Sequence, residues 1–127
     1  MSLQISKAQF KHLEQACESR FEARLLAHLR RSFPAQMAAS DDALSERLVQ
    51  HLVSRARHWG MVSEADVAAY AELAMHLHPR FDEHPDFSWA QSILADEFIV
   101  APELRLQILN DAAARRETSR VRAPLAS

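Results

Sequence analysis

One glycine, Gly60, stands in a chain of 127 residues. That scarcity limits the fold more than any other feature. Tight hairpins need residues at positive φ, and glycine reaches that region without steric cost. A chain with one glycine therefore cannot build many hairpins. Alanine, leucine, arginine and glutamate are abundant instead, and these favour helix. The expectation is an all-α protein, a compact bundle of about five helices with one layer-packed core. A single helical domain is expected over residues 1–116, with a flexible tail over 117–127. The apolar fraction of 48% and the charged fraction of 25% are ordinary for a folded domain.

Caps and breakers place the helices. Ser6 is a fair N-cap for a first helix from about Lys7 to Ser32, which Phe33-Pro34 should end because the residue before proline avoids the α region. Its apolar positions Leu13, Cys17, Phe21, Leu25 and Leu29 lie four apart. Each such step drifts about 40° against a 3.6-residue turn, so the buried face should rotate along this helix. Glu14, Glu18 and Glu22 form a like-charge ladder on it. A second helix is expected over about Asp42–His58, with the stripe Leu44, Leu48, Leu52 and Ala56, widened by Val49 and Val53, and with Gly60 as its left-handed terminator. Ser63 and Asp66 mark the start of a third, with Val62 and Val67 as a hydrophobic staple; Pro79 stops it. Residues 79–88 read as irregular. A short fourth helix should run from Ser88 or Trp89 to about Asp96. Pro102 suits the first turn of a fifth, ending near Arg116.

The same residues exclude most chemistry. A helical zinc site wants histidines four apart on one face, and none of the seven histidines has that partner. His76 and His78 point to nearly opposite sides of a helix and could converge only if it unwinds before Pro79, with Asp82 or His84 joining; no metal is expected. Cys17 sits mid-helix on the apolar stripe, where a thiol behaves as a small inert hydrophobe. Nucleotide-cradling loops need glycines the chain lacks, and no nucleophile elbow is present. The expectation is a protein that is not an enzyme, with no catalytic residue and no cofactor.

Charge is unevenly spread. Residues 60–100 carry one Arg against eight Asp and Glu, whereas residues 1–34 carry six Lys and Arg against three Glu. Nucleic acid needs dense positive charge; Arg20, Arg24 and Arg31, with Arg115, Arg116, Arg120 and Arg122 toward the end of the chain, are too few beside that acidic centre. No apolar run is long enough to span a membrane, and the N-terminus lacks a signal-peptide pattern. One cysteine suits a reducing compartment, and the chain reads as cytoplasmic. What remains is protein binding, with homo-oligomer formation left open. Phe81, Phe87 and Trp89 flank Asp82, Glu83 and Asp86, and aromatic anchors inside a polar rim are what interface hot spots use. These six are the candidate partner-binding residues. The competing reading is that the aromatics plug the end of the core and the acids solvate the loop.

Several of these positions form a pattern: Arg57-x-x-Gly60, Glu64-x-x-Val67 with Tyr70, Phe81-Asp82-x-x-Pro85, Trp89-Ala90 and Ile93-Leu94. Gln9-x-x-x-Leu13 and Leu29-Arg30-x-x-Phe33-Pro34 precede it. The pattern resembles small helical bacterial proteins encoded beside type VI secretion spike proteins, effectors and effector adaptors, over about residues 5–110. The resemblance implies a co-adaptor or co-chaperone that helps an effector or its adaptor load onto the spike. It transfers no catalytic residue. The His76-Leu77-His78 run departs from the more apolar segment of that group. Size and the acidic centre also suit an immunity protein that neutralises a co-encoded toxin.

Overall fold

The computed structural model describes residues 6–122, without the side chains of Phe10 and of 118–122. Every regular element among them is helical: α1 (Lys7–Ser32), α2 (Pro34–Ala38), α3 (Asp42–His58), α4 (Glu64–His76), α5 (Ser88–Leu94) and α6 (Pro102–Arg122). A 3-10 turn, Pro85–Phe87, precedes α5. No helix among the described residues is long and apolar enough to cross a membrane. The chain divides into two compact units, Met1–His51 and Leu52–Ser127, with the boundary inside α3.

In the first unit, Ser6 and Gln9 close a reciprocal capping box at the start of α1. Phe21, Leu25 and Leu29 are buried. The expected stripe is therefore real only in the second half of the helix. Cys17 is exposed, and so is Leu13 at 49%, because the drift of four-residue steps carries them off the face that Leu25 and Leu29 bury. The acidic ladder shows its cost at Glu22, whose carboxyl is pushed up by partial burial and by Glu18. Pro34 both ends α1 and opens α2, which the sequence reading missed: proline at the first helical position needs no hydrogen-bond acceptor for its nitrogen. That five-residue helix buries Met37 and accounts for six helices rather than five. Asp41 caps α3 through Oδ1, which accepts from the Leu44 amide at 2.8 Å. Arg30 bridges to Asp42 at 2.7 Å, both largely in solvent. Leu44, expected inward, is exposed, while Ser45 and Val49 are buried.

In the second unit, Leu52, Val53 and Ala56 from α3 are buried with Met61. Gly60 ends this helix at φ +90, as its identity suggested. Ser63 caps α4 by accepting from the Asp66 amide at 3.0 Å. The staple does not form: Val67 is buried, but Val62 is 78% exposed. Arg57 instead fixes the entry to α4, donating to the Met61 and Val62 carbonyls. Helix α4 buries Val67, Tyr70, Ala71, Leu73, Ala74 and Met75. It packs on α6, as does α5, and Leu94, Leu106 and Leu109 are buried there. Helix α6 continues six residues past the expected end at Arg116, since 117–122 hold no proline or glycine to stop it. The remainder of the expected flexible tail, 123–127, lies outside the described residues.

Candidate functional site

The segment between α4 and α5 is a chain of hydrogen-bonded turns. Backbone bonds run from Phe81 to His78 at 2.9 Å, from Glu83 and His84 to Arg80 at 2.9 Å, and from Phe87 to His84 at 3.0 Å. Two histidines take part. His78 Nδ1 accepts from the Arg80 amide at 3.0 Å, and His84 Nδ1 accepts from the Asp86 amide at 3.1 Å. Gln91 of α5 donates to the His84 carbonyl at 2.9 Å. The irregularity read from two prolines is thus order of another kind, with side chains supplying what a helix ladder would supply.

This geometry also bears on metal binding. The backbone amides of Arg80 and Asp86 occupy Nδ1 of His78 and of His84. His78 and His84 lie 4.7 Å apart between ring centroids. Among the described residues no three His, Cys, Asp or Glu side chains gather closely enough to hold an ion.

The six candidate partner-binding residues separate into two groups. Phe81 and Asp82 are inside. Phe81 is fully buried, 5.1 Å from the Tyr70 ring between centroids. Asp82 is 4% exposed. Its Oδ2 accepts from Arg55 Nε at 2.5 Å and from the Trp59 indole Nε1 at 3.0 Å. Burial alone would raise this carboxyl, but the bonds from Trp59 and Arg55 and the guanidinium charge outweigh it and hold Asp82 below its ordinary value. Tyr70 lies against the same cluster and is pushed far upward, first by burial and then by the Asp82 charge. The Tyr70 hydroxyl and Asp82 Oδ1 are both buried and close no hydrogen bond of ordinary geometry. These residues anchor the segment to α3 and α4. Spacing gave no warning of this, because Arg55 and Trp59 stand 27 and 23 residues from Asp82.

Glu83, Asp86, Phe87 and Trp89 reach the surface. Glu83 extends the ion pair, 3.3 Å from Arg55 Nη2. Asp86 points outward beside His84 at 3.7 Å. Phe87 and Trp89 are half-buried, 6.5 Å apart between ring centroids. The Arg116 guanidinium caps the Trp89 ring at 4.5 Å, a cation–π contact from α6. Together with Asp86 they border an open groove of about 1080 Å³, whose other walls are Leu73 and His76 of α4, Leu77 just beyond it, and Asn110 and residues 112–117 of α6. Nothing in the spacing along the chain points to the α6 wall, which lies more than twenty residues beyond Trp89.

The groove offers apolar rings, carboxylates and guanidinium groups side by side. No family model matches this chain, and neither does any curated protein or solved structure.

Proposed function

We propose that this chain is a non-enzymatic accessory factor that binds another protein through the groove between α4, the Pro85–Phe87 turn and α6. The supporting observation is the pair of half-buried aromatics, Phe87 and Trp89, on the rim of an open groove and flanked by Asp86 and Arg116. Aromatic side chains held by neighbours, with a charged border, lose little freedom on binding and tend to carry interface energy. The resemblance in residues 5–110 adds context: the partner is a type VI secretion effector or its adaptor, and the chain acts as a co-adaptor or co-chaperone that helps it load onto the spike.

Co-expression with the products of the adjacent genes tests this reading. One of them should co-purify, and Asp86→Lys together with Phe87→Ala should weaken the association. Asp82 is not a suitable reporter, since its loss would disturb the interior. Absence of any partner among those products would remove the proposal. The exposed acids Glu64, Glu83, Asp86 and Glu97 favour a second reading, an immunity protein facing a basic toxin. That version requires the chain to protect cells expressing an adjacent toxin gene.

A further inference from the structure

The segment joining α5 to α6 turns apolar side chains outward. Phe98 is 96% exposed and Val100 84%, and Leu104 on the first turn of α6 is also exposed. Single exposed apolar residues are ordinary. Three within seven residues, on a segment tied down by its own hydrogen bonds, are not. Asp96 Oδ1 accepts from the Phe98 amide at 2.9 Å, and the Ile99 amide donates to the Asp96 carbonyl at 3.2 Å. Arg105 reaches back from α6. Its Nη2 donates to the Ile99 carbonyl at 2.6 Å, and its Nη1 donates to the Trp59 carbonyl at 2.9 Å. One guanidinium therefore joins this segment to the turn after α3, on which Val62 is exposed.

Along the chain, carboxylates outnumber cations around these side chains. Glu97 and Glu103 are exposed on either side of Phe98 and Val100. No Lys or Arg occurs between Arg80 and Arg105, and both Nη groups of Arg105 donate to backbone carbonyls. The result is a short run of exposed apolar side chains between two exposed glutamates, on a backbone held by its own hydrogen bonds.

We propose that Phe98, Val100 and Leu104, with Glu97 and Glu103, form a second docking surface, whose occupant is a basic, apolar-faced segment of a partner protein. Phe98 is the anchor, and the two glutamates select lysine or arginine beside the apolar contacts. The tethered backbone spares the complex the entropy of ordering a loop. This surface extends the reading of the chain as a protein-binding factor, and it shares no lining residue with the Phe87–Trp89 groove.

The test titrates the isotope-labelled full chain with a synthetic amphipathic helical peptide of leucine and lysine. A leucine–glutamate peptide of the same pattern is titrated in parallel. The lysine peptide should shift backbone resonances of residues 96–104, and the glutamate peptide should not. Phe98→Ala with Val100→Ala should weaken the lysine peptide at least about tenfold with the melting temperature unchanged, since both side chains are in solvent. The proposal is overturned if the shifts fall on Phe87 and Trp89, if both peptides bind alike, or if the double variant binds as the parent does. It is also overturned if the chain alone sediments as an oligomer that Phe98→Asp dissociates, because the occupant is then a second copy. The probe is not a product of an adjacent gene, so failure here leaves the groove reading standing, and failure of co-purification leaves this one.

Discussion

Replacing Asp82 with alanine should destabilise the chain by about 2–4 kcal/mol. The carboxylate receives a charge-assisted bond from Arg55 and an indole bond from Trp59. Charge-assisted bonds contribute about 1.5–3 kcal/mol and ordinary ones about 0.5–1.5 kcal/mol. The Arg55 side chain is 23% exposed, so water partly replaces its lost partner and the sum stays below the cost of stranding a fully buried charge. For a chain of this length the loss corresponds to a fall of about 8–15 °C in melting temperature. Asp82→Asn keeps an acceptor for the indole and should cost roughly half as much. Acid supplies an internal check. The folded carboxyl lies below its ordinary value of 3.8, so its stabilisation is complete above that value and is lost as pH falls through the folded one. The difference between parent and Asp82→Ala, measured by urea unfolding with circular dichroism, should be constant from neutral pH down to about 5 and shrink below about 4. An alanine variant melting within about 2 °C of the parent, or a difference undiminished at acid pH, would refute the assignment of Asp82 as the anchor of this segment.

Tyr70 is the only tyrosine, so its ionisation can be followed by absorbance alone. A phenol raised by burial must stay neutral while the chain is folded, and stability should decline as pH rises past about 10, the unfolded value; phenolate should appear together with loss of helix, and phenolate signal from a fully helical sample contradicts this. Gly60→Ala should cost about 1–2 kcal/mol through backbone strain at φ +90 alone, because an added Cβ meets nothing within 4 Å; an unchanged urea midpoint would show that the turn relaxes. Cys17, exposed on α1, should react fully with a thiol reagent without denaturant, whereas protection until unfolding would restore the buried reading of that stripe.

Helix-forming composition, caps and prolines made the helical class legible, because they act within a few residues of where they stand. Ser6, Ser63, Gly60 and Pro102 all hold the helix ends they suggested. Which face of a helix turns inward was less legible. Leu13 and Cys17 continue the spacing of Phe21, Leu25 and Leu29 yet are exposed, since four-residue steps drift around the helix and spacing does not tell which part of the drifting stripe meets a neighbour. Asp82 illustrates the same limit for the site. A carboxylate in an acidic loop reads as solvated until Arg55 and Trp59, far off in sequence, are seen to hold it. The Phe87–Trp89 part of the candidate surface needed less, because its neighbours in the chain carry its acids. Its other wall, with Arg116 over Trp89, comes from α6 and is set by packing of helices distant in sequence.

Binding through the groove is the central claim, and Trp89 tests it most directly. Titration calorimetry would compare the parent and Trp89→Ala against the adjacent-gene product that co-purifies, with melting curves to confirm that both are folded. Loss of an aromatic anchor costs about 2 kcal/mol or more, so the variant should bind at least about thirtyfold more weakly. Equal affinity in a folded Trp89→Ala variant would place the partner elsewhere and contradict the account.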